Sequence, residues 1–95
     1  MTVFYLPRTA AGGPRIGFTV PRVLGGAVVR NRMRRRVREA VRASLAELAF
    51  SVDVVINPKR SALTADFAEL GADVARAFAV IRDKELQRAG KEGKA

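Results

Sequence analysis

The chain contains no cysteine and no histidine. Without thiols there is no disulfide, and nothing points to an oxidising compartment. Without imidazole, a Ser-His-Asp triad, a histidine general base and the usual zinc sites are all excluded, as is a thiol nucleophile. Carboxylates, lysines and Tyr5 are what remains for catalysis. Asp53, Asp66, Asp73 and Asp83 show no paired spacing within one motif, which argues against a two-metal nuclease built by this chain alone. GGPRIG is no phosphate loop, because no Lys-Ser/Thr pair follows its glycines. No apolar run approaches a membrane span, and MTVFYLPR lacks the basic start and long apolar centre of a signal peptide, so no membrane association and a cytoplasmic location are expected. No repeat is visible, and 95 residues suit a single domain.

What the chain does have is positive charge. The formal net charge is +9, yet 48% of the residues are apolar, more than a disordered basic tail carries. A folded polyanion binder is the first expectation. The charge is concentrated in VVRNRMRRRVREAVR, residues 28–42, with Arg30, Arg32, Arg34, Arg35, Arg36, Arg38 and Arg42 against one acid, Glu39. On a helix, Arg30, Arg34, Arg38 and Arg42 form successive i,i+4 like-charge pairs, each unfavourable by roughly 0.2–0.5 kcal/mol. An anionic partner would turn that repulsion into binding energy.

Along the chain, TVFYLP (2–7) reads as a first strand ended by Pro7, RTAAGGP (8–14) as a loop, and RIGFTV (15–20) as a half-buried second strand. In the first strand Phe4 is expected in the core and Tyr5 on the opposite face, where it could stack on an unpaired nucleotide. Phe18 keeps step with Ile16 and Val20 and is expected in the core. Pro21 breaks this strand, and Gly25-Gly26 permits a sharp approach to the next element. From Ala27 to Ala49 the residues Val29, Met33, Val37, Ala40, Val41, Ser44, Leu45 and Leu48 recur at helical spacing. Asn31, Arg32, Arg35, Arg36, Arg38 and Arg42 fall outside that stripe, while Arg30 and Arg34 lie at its edge or within it and must snorkel or belong to a fraying first turn. VDVVIN (52–57) reads as a buried strand. Thr64 is a candidate cap for a second helix with a stripe of Phe67, Leu70, Val74, Phe78, Ile81 and Leu86, and Gly71 inside it suggests a close approach. The sequence therefore predicts an α/β two-layer sandwich in the order β-β-α-β-α, one domain over residues 1–87 with a disordered basic tail over 88–95.

A basic helix face is often merely solvated. Here residues 30–38 hold no acid, and every cation is arginine, whose planar fork bonds phosphate bidentately and stacks on bases. Asn31, between two arginines, offers a donor and an acceptor to a base edge or a 2′-hydroxyl. These features favour RNA contact. A major-groove DNA binder would need a turn-linked helix pair or a dimer, and neither is visible.

The run RIGFTV, a glycine and then AVVRNRMRRRVRE resembles the signature of the bacterial ribonuclease P protein component, and the similarity extends through VDVVINP and the last helix. That family implies a sheet of the ribosomal protein S5 domain 2 type with a left-handed crossover, and a role beside a catalytic RNA that removes the 5′ leader of precursor tRNA with Mg²⁺ held mainly by RNA. By position, Arg30, Asn31, Arg32, Arg34, Arg35 and Arg38, with Arg42 beyond them, are implied to contact the RNA subunit. Val3, Tyr5, Thr19 and Arg22 are implied to line the leader cleft. No catalytic residue, no metal ligand and no obligatory protein partner are expected in this chain. Members normally begin with a helix before the first strand, whereas Met1 stands at the strand here, so a cleft short of one wall is expected. Pro21-Arg22-Val23 replaces the family's Ser and successive Lys, which implies weaker leader contacts there. The alternative is a general RNA-binding or ribosomal protein without processing activity.

Overall fold

The computed structural model describes residues 1–8 and 12–93, with side chains as far as Arg88. The elements are β1 (Thr2–Pro7), β2 (Pro14–Phe18), α1 (Ala27–Ser44), β3 (Val52–Asn57) and α2 (Phe67–Gly93), with 3₁₀ turns at Arg22–Leu24, Leu45–Glu47 and Arg60–Leu63. The expected order and fold class hold. Residues 9–11 of the expected loop lie outside the described residues.

The β-branched run of β3 becomes the central strand of a sheet ordered β1-β3-β2. It pairs antiparallel with β1 and parallel with β2. Parallel neighbours need a crossover, which α1 supplies. Val52, Val54 and Ile56 of β3 are buried on one sheet face, against which the helices pack Met33, Val37, Ala40 and Val41 from α1 and Leu70, Val74, Phe78 and Ile81 from α2. Among the described residues no charged or polar side chain is fully buried. The core is thus hydrophobic throughout, and each large side chain in it contributes about 1.5–3 kcal/mol by leaving water.

Several expectations need correction. Phe4 is 59% exposed, whereas Tyr5 is half-buried against the core. The register explains the exchange: Tyr5 lies opposite buried Val54, and Phe4 opposite exposed Val55. Thr64 does not cap α2. Asp66 stands before its first residue, and its Oδ1 accepts a hydrogen bond from the Ala68 amide at 3.3 Å. Phe67 and Leu86 are exposed, and an added Cβ on Gly71 would meet nothing within 4 Å, so no close approach occurs there. Gly25 is the constrained glycine, with φ +146° and Val29 Cγ1 2.8 Å from an added Cβ. The helical periodicity expected to reach Ala49 survives to buried Leu48, but the α-helix ends at Ser44 and tightens into a 3₁₀ turn. At the other end of the chain α2 continues to Gly93, through most of the stretch expected to be disordered. Its last turns are rich in good helix formers, and Arg88 pairs with Glu85 at i,i+3. Residues 94 and 95 lie outside the described residues.

Candidate nucleic-acid interface

Packing fixes the orientation of α1. Its apolar stripe of Met33, Val37, Ala40 and Val41 is held under the sheet and α2, which leaves Asn31, Arg32, Arg35, Arg38 and Arg42 exposed. Asn31, Arg35, Arg38 and Arg42 follow one another at steps of four, three and four residues, a single row about 16 Å long. The helix begins at Gly26 without a side-chain cap and without an acid in its first turn. Its N-terminal amides therefore add partial positive charge at the end where Arg30 and Asn31 lie.

The seven arginines of α1 are not equivalent. Arg32 and Arg35 have no intramolecular polar partner among the described residues. Arg34 donates to Asn31 Oδ1 at 2.7 Å, which occupies the Asn31 acceptor and leaves its amide N–H groups to reach outward. Arg42 meets Glu39 at 3.4 Å in an exposed pair, an interaction of small net worth. Arg38 stacks over the Phe18 ring, 5.8 Å from its centroid. Arg30 is half-buried, with its Nε enclosed and without a hydrogen-bond partner.

Arg36 departs from the helical-wheel reading. Instead of facing solvent, its Nε donates to the Ala62 carbonyl at 2.8 Å and its terminal nitrogen to the Ala65 carbonyl. From the same 3₁₀ turn Arg60 donates to the Val23 carbonyl at 2.9 Å. Two guanidinium groups thus tie the segment before α2 to the middle of the basic helix and to the turn that precedes it. No local pattern could announce this, since the acceptors stand 26 and 29 residues beyond Arg36.

The residues expected to form a leader cleft differ in their exposure. Val3 and Tyr5 pack towards the core, while Thr19 and Arg22 are exposed past the end of β2. The open face instead presents Phe4, Leu6 and Val55, all exposed, and a hollow of about 230 Å³ whose lining includes these residues with Tyr5 and Asp53. Asp53 is neutralised there by Arg8 at 3.2 Å and Arg15 at 3.1 Å. Other carboxylates are also engaged by arginine: Glu47 and Asp83 by Arg82, Asp73 by Arg76 and Glu85 by Arg88. The Asp83 hydrogen bond, with both nearby carboxylates, raises the Arg82 pKa above its ordinary value. Among the described residues no three acidic side chains gather as a metal site would require. No described helix is long and apolar enough to cross a membrane.

The family model of Ribonuclease P matches residues 1–82 of this chain. The chain belongs to the ribonuclease P protein family. It is 48% identical over 64 residues to the ribonuclease P protein component of Acidothermus cellulolyticus, a match covering 67% of this chain and 53% of that protein. With the ribonuclease P protein component of Citrifermentans bemidjiense it shares 42% identity over 72 residues, covering 76% of this chain and 61% of the relative. The chain therefore spans between half and two thirds of the length of these relatives. In fold it is similar to the ribonuclease P protein of Thermotoga maritima, with a TM-score of 0.69 at 24% identity over 80% of this chain and 72% of that one. The Staphylococcus aureus ribonuclease P protein gives 0.67 at 19% identity, over 83% of this chain and 72% of that one. The ribonuclease P family membership accounts for the two-layer arrangement. The residue-level division between partner-free and structural arginines comes from the packing of this chain itself.

Proposed function

We propose that this chain is the RNA-gripping protein subunit of a cytoplasmic ribonuclease P, which binds the catalytic RNA and assists removal of the 5′ leader from precursor tRNA. The observation that carries the proposal is the exposed row Asn31, Arg35, Arg38 and Arg42 with Arg32 beside it, fixed on a helix whose opposite face is locked in the core. A rigid row of guanidinium groups neutralises successive phosphates and releases their counterions. Arg30 and Arg34 reinforce its N-terminal end, and Asn31 reads a base edge or a 2′-hydroxyl through its amide N–H groups.

The leader is assigned to the sheet side. Thr19 and Arg22 are accessible to a strand passing the end of β2. Because Val3 and Tyr5 turn towards the helices, an unpaired leader on the open face meets Phe4, Leu6 and Val55, with the Tyr5 backbone beside them. Mg²⁺ is assigned to the RNA, since among the described residues the acidic side chains are dispersed and largely paired with arginine. The chain's own part is to bind, orient and screen charge. General RNA binding without processing shares the same surface, so the decisive readout is cleavage. Reconstituted with a bacterial ribonuclease P RNA at low Mg²⁺, the chain should raise the rate of precursor-tRNA cleavage or tighten substrate binding. Retention of RNA with no gain in either leaves the general RNA-binding reading in its place.

A further inference from the structure

The exposed row of α1 ends beside a groove for which the proposed function has no use. Its floor is apolar, formed by Ile16 and Phe18 of β2, Val41 of α1 and Leu45 of the following turn, while Arg38 and Arg42 stand at its side. The groove measures about 210 Å³. It runs along a strand whose outer edge is unpaired among the described residues, because β2 closes the sheet on that side. Arg38 already lies over the Phe18 ring, a cation–π contact that marks the ring face as reachable from outside.

Size, polarity and charge narrow what could sit there. An apolar cavity of about 150 Å³ accepts a benzene ring, whereas pockets for drug-sized ligands begin near 300 Å³. The groove therefore suits one flat heterocycle. Its walls demand that this heterocycle be attached to negative charge. Arg38 and Arg42 are one helical turn apart, about 6 Å along the axis, and Arg35 continues the series. Cations repeating along a line fit a backbone with one anion per unit, which favours a nucleic-acid strand over an acidic peptide.

We propose that this groove seats a single unpaired nucleobase of the bound RNA, stacked on Phe18, with the flanking phosphates held by Arg38 and Arg42. Arg38 swings from the ring to a phosphate as the base enters, and Arg42 exchanges Glu39 for the strand. The inference rests on the RNA-binding reading and adds a point of stacking to it. Stacking on an aromatic ring tolerates any base, so the groove adds affinity for unpaired strand over duplex and does not select a sequence.

The test uses the full chain and a short single-stranded RNA carrying a fluorescent purine analogue. Phe18→Leu keeps an apolar side chain in the floor but removes the ring. It should weaken binding by about 5-fold, reduce quenching of the analogue and leave the salt dependence of binding unchanged. Phe18→Tyr should retain both affinity and quenching. On the unaltered chain, the Phe18 ring protons should shift in NMR spectra as the RNA is added, a readout that does not depend on either variant folding. Ring signals that stay in place, or wild-type affinity and quenching in Phe18→Leu, would overturn the proposal even if the unaltered chain stimulates cleavage. Displacement of the RNA analogue by an acidic peptide with unchanged ring-stacking signals would overturn it as well. Failure of the unaltered chain to bind RNA at all would instead remove the reading beneath it.

Discussion

At the scale of single residues, Arg35 and Arg36 are neighbours in sequence with opposite surroundings: the first has no intramolecular polar partner among the described residues, and the second is spanned between the Ala62 and Ala65 carbonyls. Hydrogen bonds from a charged donor are worth about 1.5–3 kcal/mol each, and losing one partner exposes the acceptors to partial burial without compensation. Arg36→Ala should therefore destabilise the domain by about 2 kcal/mol and lower its melting temperature by several degrees, with the salt dependence of RNA binding preserved. Arg36→Lys should recover the charge but little of the stability, because an ammonium cannot reproduce the fork. Thermal unfolding followed by circular dichroism checks both. A helical wheel separates apolar from polar faces, so it correctly left Arg32 and Arg35 outside the core. It could not foresee Arg36, whose acceptors come from a distant turn. Phe4 and Tyr5 illustrate the same limit. Alternation placed them on opposite faces, but only the pairing of Tyr5 with Val54 decided which face was covered.

At the scale of elements, periodicity located the described strands and α-helices, and their bounds were missed where capping and fraying decide. The cap of α2 is Asp66, two residues after the expected Thr64. Asp66→Ala should cost about 0.5–2 kcal/mol, whereas Thr64→Ala should change little; a melting comparison of the two variants separates the assignments. Gly71 lies within α2 with open space around its missing Cβ. Gly71→Ala should thus stabilise the domain by about 0.5–1 kcal/mol. A decrease in melting temperature would show that something does press on that position. The basic helix needs no such help, because its buried stripe holds it while the outer face bears the charge repulsion.

At the scale of the whole molecule, the proposed function rests on an imbalance. A net charge of +9 sits on a fold whose acids are mostly engaged by arginines away from the α1 row, so the exposed row keeps its charge for a polyanion. With no histidine and no cysteine in the chain, no side chain has an ordinary pKa between pH 5 and 8. Affinity for the RNA subunit should accordingly stay within about 2-fold from pH 6 to 8 at fixed ionic strength, read by filter binding. A steep dependence would place the controlling ionisation in the RNA. The exposed basic row of α1 was legible in the sequence, because charge and helical spacing are local properties. Which side chains of β1 face outward, and the groove beside Phe18, were not, because both depend on strand order and register. The most direct measurement is the slope of log affinity against log salt for a bacterial ribonuclease P RNA, compared between the unaltered chain and Arg32→Ala/Arg35→Ala. Each phosphate contact contributes roughly 0.7–0.9 to that slope. The double variant should bind more weakly and flatten it by about 1.5, with an unchanged melting temperature; an unaltered slope, or a domain that unfolds, would contradict the assignment of this helix face to RNA.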